Sequence, residues 1–193
     1  MVLSNYKPII EEKLLYFLKK LVDRGVNPNH ITLTGLIFGI LSIISLYILK
    51  NYAIFLLFIT LMSLMDMFDG IIARASGRTT KFGAFLDSTV DRMEDAIFAV
   101  SLMILKIASP LECFLFMVGM FLVSYTRARS ESLGLSLSGV GIAERGERVI
   151  CLIVLLLIYP INSLLSRIIF YVLFALTYVT VVQRIIHVWK NLK

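Results

Sequence analysis

Six carboxylates stand where an apolar chain has little use for them. Asp66, Asp69, Asp87, Asp91, Glu94 and Asp95 lie in or at the ends of two long apolar stretches. At the centre of a membrane helix each ionised carboxylate costs about 2.5–3.5 kcal/mol, so such a cluster needs a compensating partner. At 100° per residue, Asp66, Asp69 and Ala73 fall within about 60° of one another, and Asp87 and Asp91, four residues apart, within about 40°. Each stretch therefore offers a carboxylate pair on one face. Residues 74–83, RASGRTTKFG, form a short basic connection that turns the second stretch back along the first and lets four aspartates converge. Oxygen donors without His or Cys suit a hard divalent cation, Mg2+ or Mn2+, better than zinc, and two ions would offset most of the charge. Arg74, Arg78 and Lys81 supply the cations that a diphosphate beside those ions requires. Gly70 and Gly83 carry no Cβ next to the acids, which permits close approach of a flat ligand or a neighbouring backbone.

The elements that must position these residues are membrane helices. Of 193 residues 59% are apolar and only 17% charged, whereas a soluble domain is about a quarter charged. This excludes a secreted disulfide scaffold, a disordered chain and an ordinary soluble enzyme. Cys113 and Cys151 both sit in apolar stretches, so no disulfide framework is expected. At roughly 20 residues per span, residues 1–193 make one membrane domain with no room for a soluble one. Six spans are expected at about 31–49, 53–73, 84–105, 111–128, 143–159 and 164–187. Before them, over about 5–24, Ile10, Leu14, Phe17, Leu18 and Leu21 repeat at helical spacing opposite Glu11, Glu12, Lys13, Lys19 and Lys20, the pattern of an amphipathic helix lying in the interface. The fold class is thus all-α and integral to the membrane. With six spans the termini share one side. Placing them in the cytoplasm puts all lysines and arginines inside except Lys50, Lys106 and Arg167, as the positive-inside rule favours. The net charge of +6 then reflects topology and an anionic ligand, not nucleic acid.

The spacing Asp66-x2-Asp69-Gly70-x2-Ala73-Arg74-x8-Gly83-x3-Asp87-x3-Asp91 resembles, at every fixed position, the signature of the CDP-alcohol phosphotransferases. The resemblance covers essentially the whole chain. It implies a six-helix membrane enzyme, generally homodimeric, that moves a phosphatidyl-type group from a CDP-linked lipid to an alcohol and releases CMP. It implies further that Asp66, Asp69 and Asp87 hold divalent metal, with Asp91 completing the site and acting as general base on the acceptor hydroxyl. Gly70 and Ala73 would line the cytidine pocket and Arg74 would bind the diphosphate. The chemistry agrees, since an alcohol is a poor nucleophile until a carboxylate takes its proton.

A second basic cluster bears on the acceptor. Arg127 and Arg129 end the fourth expected span, and Arg145 and Arg148 start the fifth, as an acceptor with its own phosphate would require. These segments, with residues 86–95, resemble the branch of the family that accepts inositol phosphate. That likeness implies Arg127, Arg148 and Arg184 as ligands of inositol 1-phosphate, with Arg145 beside them. The economy of the chain and its Ile, Leu and Lys content lean toward an archaeal enzyme using CDP-archaeol, with CDP-diacylglycerol as the other donor. Glycerol 3-phosphate or serine are the alternative acceptors. A small cation channel or transporter is the reading from a different class, and a CDP-lipid binder without turnover a third. Asn29 and Thr32 read as helix caps or nucleotide contacts, Glu94 and Asp95 as walls of an acceptor cavity or interhelical hydrogen bonds, and His187 as an interfacial residue.

Overall fold

The computed structural model describes residues 14–192, and all regular structure among them is helical. A helical stretch over residues 14–23 precedes six long helices: α1 (Pro28–Tyr47), α2 (Tyr52–Ala75), α3 (Lys81–Ile104), α4 (Pro110–Ser132), α5 (Arg145–Ile158) and α6 (Ser163–Asn191). These fall on the six expected stretches. Their starts are set by local chemistry. Asn27 caps α1 just before Pro28, Asn51 accepts from Ile54 N, and Asn162 from Leu165 N. Ser109 and Glu112 form a reciprocal capping box around Pro110 at the start of α4, satisfying two donors that a helix N-terminus leaves open.

Helices α1, α2, α4 and α6 are long and apolar enough to cross a membrane by themselves. The other two are not, for reasons visible in their residues. Helix α3 carries Asp87, Asp91, Arg92, Glu94 and Asp95. Helix α5 has 14 residues, about 21 Å at 1.5 Å per residue, against a hydrocarbon core of about 30 Å.

The chain forms two compact units, one running to Ser101 and the other beginning at Leu102. In the first, α1 packs along α2, whose Phe55, Ile59 and Met62 are fully buried. Gly35 and Gly39, one turn apart on α1, make this approach close. A Cβ at Gly39 would lie 2.6 Å from both Met62 Sδ and Ile97 Cδ1, and one at Gly35 3.1 Å from Met65 Cβ. Small residues four apart are the usual means by which membrane helices bring backbones together. Gly39→Ala should therefore destabilise the fold by about 1–3 kcal/mol, the cost of overpacking. A lowered melting temperature in detergent checks this. An unchanged one would mean that Met62 and Ile97 swing aside freely.

The expected interfacial helix is described only from residue 14, and its residues 5–13 lie outside the described part. Leu18 is buried in a cluster with Ile31, Ile71 and Ile72, and Leu14, Leu15 and Val22 pack against it. Phe17, expected on the same apolar face, is instead 77% exposed beside Tyr16 at 79%. The face that packs on protein is narrower than the apolar face, and two aromatic rings are left over, as a helix at a lipid interface leaves them.

In the second unit α4 packs on α6. Gly119 lies against Thr177 and Tyr178, and Phe116 makes an edge contact with Phe170 at 5.4 Å. Helix α5 is tied to α6 by Ser166 Oγ donating to Leu155 O at 2.9 Å. Cys113 and Cys151 are free thiols.

Candidate active site

Three of the four aspartates expected to converge bring their oxygens together. Asp66 on α2 and Asp87 and Asp91 on α3 each offer a carboxylate oxygen, all within 4.8 Å of one another. Oxygens around one hard divalent ion, at about 2.0–2.6 Å from it, span separations of this size. All three side chains are half-buried, so the donor set, its spacing and its access fit a divalent cation. Asp66 and Asp69 lie in the second half of α2, and Asp87 and Asp91 in the first half of α3. They gather at one end of the α2–α3 hairpin and do not string along a path through it, which disfavours a cation channel.

Asp69 lines the same cavity as Asp87 but is not one of those three oxygens. It is buried, and Thr32 Oγ1 of α1 donates to its Oδ2 at 2.5 Å while also reaching Pro28 O at 3.2 Å. Its carboxylate is thus oriented from α1. By sequence Arg92 is one more basic residue of the expected cytoplasmic side. Its Nη1 bonds Asp91 Oδ2 at 3.2 Å and Ser88 O at 2.6 Å, so a cation leans on Asp91 from its own helix.

A cavity of about 200 Å3 lies beside these acids. Its walls carry Asp69, Gly70, Ala73, Arg74, Arg78, Gly83 and Asp87 among the expected residues, with Pro28, Asn29 and Thr32 contributed by α1. Lys81, at the first position of α3, is exposed and does not line it. Arg78 lines it while its Nη1 donates to Gly25 O at 2.5 Å. Gly25 is in the left-handed region at φ +69°, and a Cβ there would lie 3.1 Å from Arg78 Nη2. Gly70 makes room for arginine: its Cβ position is 3.2 Å from Arg74 Nη1. At Gly83 a Cβ would lie 3.1 Å from Asn29 Oδ1. Both motif glycines thus serve close approach, as expected, and part of what approaches is the protein's own polar atoms. Between the two readings offered for Asn29, the cap falls to Asn27, whose Oδ1 accepts from Asn29 N at 3.0 Å. Asn29 itself is wall.

The second arginine group belongs to the second unit. Arg184 is buried, donating Nε to Val140 O at 2.9 Å and Nη1 to Val123 O, with Glu144 Oε1 3.8 Å from Nη2. Arg148 is buried and donates Nη1 to Ala143 O at 3.0 Å. The 139–144 loop between them is strapped to α6: Thr180 Oγ1 accepts from Ala143 N at 3.0 Å and Gln183 Oε1 from Ile142 N at 3.2 Å. Gly141, at φ +125°, passes so near Thr180 that a Cβ would overlap its methyl group. Arg127 is half exposed and paired with Glu131 at 2.8 Å, while Arg129 is exposed. Burial of Arg148 and Arg184 was not legible in the sequence, because the loop that covers them has no periodicity of its own. Glu94 and Asp95 are both buried on α3, and Glu94 Oε1 lies 3.4 Å from the Cβ position of Gly35, which puts it at a helix contact.

The profile of the CDP-alcohol phosphatidyltransferase family matches residues 26–188. The chain belongs to this family. It is 32% identical over 192 residues to the archaetidylinositol phosphate synthase of Pyrococcus horikoshii, covering 100% of this chain and 99% of that one. With the archaetidylinositol phosphate synthase of Methanothermobacter thermautotrophicus identity is 35% over 194 residues, 100% of this chain and 96% of the other. Its structure is similar to the Mycobacterium tuberculosis phosphatidylinositol phosphate synthase with CDP-DAG bound, at TM-score 0.75 and 25% identity over 93% and 94% of the two chains. It is likewise similar to that enzyme in complex with manganese and citrate, at TM-score 0.76 and 26% identity over 90% and 87%. The chain is accordingly a multi-pass membrane enzyme of the CDP-alcohol phosphotransferase class.

Proposed function

We propose that this family member transfers a phosphatidyl-type group, archaetidyl in the favoured reading, from a CDP-lipid to inositol 1-phosphate and releases CMP. The observation that carries the reading is the convergence of Asp66, Asp87 and Asp91 beside a cavity holding Arg74, Gly70 and Ala73. Its support on the acceptor side is the end-to-end likeness to archaetidylinositol phosphate synthases. In this proposal residues 1–193 form one membrane domain of six transmembrane helices behind an interfacial helix. Termini and site face the cytoplasm, and two copies associate.

Asp66, Asp69, Asp87 and Asp91 would hold one or two ions, Mg2+ or Mn2+, which neutralise charge on the diphosphate oxygens when bound. Asp91 takes the proton of the acceptor hydroxyl. The freed oxygen bonds to the lipid-side phosphorus, and the bond from that phosphorus to the CMP oxygen breaks with its electron pair leaving on CMP. Asp66, Asp69, Gly70, Ala73, Arg74, Arg78, Lys81 and Gly83 are assigned to the CDP-lipid. Arg127, Arg145, Arg148 and Arg184 are assigned to the acceptor's phosphate, the charge-assisted donors that a phosphate monoester needs.

Two experiments test the reading. CMP release by the purified protein with Mg2+ or Mn2+ and a CDP-lipid should occur with inositol 1-phosphate and not with inositol, glycerol 3-phosphate or serine. Release with one of the other acceptors alone overturns the acceptor while keeping the aspartate chemistry. Second, Gly70→Ala should raise KM for the CDP-lipid about three- to tenfold at unchanged melting temperature. The added methyl group displaces only the far end of Arg74, and a slightly misplaced guanidinium weakens binding by a fraction of its hydrogen-bond energy. An unchanged KM would remove Arg74 from the diphosphate.

A further inference from the structure

A second cavity, of about 460 Å3, opens where the 105–109 turn meets the first turns of α4 and α6. Lys106, Ser109, Glu112, Arg167 and Tyr171 line it, with Met103 and Ile107. None of these residues takes part in the proposed reaction.

The polar groups are unequally available. Glu112 is the cavity's one acid, and both its oxygens are engaged: Oε2 accepts from Ser109 N at 2.7 Å and Oε1 from the Tyr171 hydroxyl at 2.9 Å. Arg167 spends Nε on Ile107 O at 3.1 Å, and its Nη2 reaches Lys106 O at 3.5 Å, which leaves Nη1 to the cavity. Lys106 makes no side-chain hydrogen bond or ion pair among the described residues. Each oxygen of the one acid already accepts a bond while donors of two cations remain, an excess of charged donors that suits an oxyanion. Of the three basic residues that the six-span topology leaves on the outer side, two meet here.

The flanks say which oxyanion. Next in sequence to the wall residues Glu112, Arg167 and Tyr171, Leu111, Ile168 and Val172 are 67%, 51% and 54% exposed, an apolar surface for hydrocarbon chains. An inorganic anion has no use for it. We propose that this cavity holds the phosphodiester of a bilayer phospholipid, with Lys106 and Arg167 donating to its non-bridging oxygens and its chains lying along Leu111, Ile168 and Val172. This rests on the membrane setting of the protein and not on the transfer reaction.

The test titrates the full chain in detergent with dihexanoyl phosphatidylglycerol, dihexanoyl glycerol and inorganic phosphate, reading bound ligand by native mass spectrometry. Lys106→Glu is the variant, with Lys106→Gln as a second that keeps the site uncharged. Lys106 sits in a turn and contributes no side-chain bond, so both variants should keep the wild-type melting temperature. Phosphatidylglycerol is expected to bind wild type about tenfold or more tighter than Lys106→Glu, the scale of one lost charge-assisted contact. Neither the glycerol lipid nor phosphate should distinguish the two proteins. Equal affinity of phosphatidylglycerol for wild type and both variants overturns the site. Discrimination by inorganic phosphate equal to that by the lipid overturns the lipid and leaves a free-anion site.

Discussion

Asp91→Asn should lower CMP release by about a hundred- to ten-thousand-fold, the range over which positioned general bases contribute, while CDP-lipid affinity changes by less than threefold. The substitution keeps the shape of the side chain and removes its capacity to take a proton. Asp66 and Asp87 remain in place with carboxylate oxygens within 4.8 Å of each other, so a cation and its diphosphate retain most of their contacts. Arg92, 3.2 Å from Asp91 Oδ2, still has Ser88 O at 2.6 Å and is not stranded without a partner. Single-turnover CMP release and equilibrium binding of the CDP-lipid separate the two effects. If binding falls in step with turnover, Asp91 acts only through the ion and the base must be sought elsewhere.

Exhaustive chelation should abolish CMP release, and Mg2+ or Mn2+ should restore it. The same carboxylates make a second, independent readout. Three ionised groups within 4.8 Å of one another repel by about 3 kcal/mol per pair at an effective dielectric near 20. A bound cation relieves this, so Mg2+ or Mn2+ should raise the melting temperature of wild type. Asp66→Asn removes two of the three repulsive pairs and one ligand. In chelator it should therefore be as stable as wild type or more so, and it should gain less from metal, with the ion concentration at half-activation raised at least about tenfold, as losing a ligand costs. A variant that is destabilised in chelator yet activated by the same metal concentration as wild type would assign Asp66 to packing.

Much of this site is legible in the sequence. The four aspartates sit at i, i+3 and i, i+4 spacings on two helices joined by a short connection, and helical periodicity alone puts each pair on one face. Tertiary structure added that Asp66, Asp87 and Asp91 share one point while Asp69 turns to Thr32. The six helices were legible because runs of apolar residues are long and the caps are local: Asn27, Asn51, Ser109 and Asn162 each act within three residues of themselves. Gly35 and Gly39 carry no such signal, since a glycine pair in an apolar run says nothing about which neighbour it admits. Phe17 fits the apolar face by spacing yet is exposed, while Leu18 is the residue buried against Ile31, Ile71 and Ile72.

What the sequence determined by itself, then, is the pairing of the acids on one face of each of two helices, the order of the six long helices among the described residues, and the membrane as solvent. These depend on residue type and on spacing within one helix or across one short turn. What only the tertiary structure decided is everything that needs a partner distant in the chain. Thr32 reaches Asp69 across 37 residues, Arg78 reaches Gly25 across 53, and Arg184 reaches Val123 across 61. Periodicity fixes the direction of a side chain about its own helix axis. It carries no information on which other helix stands there.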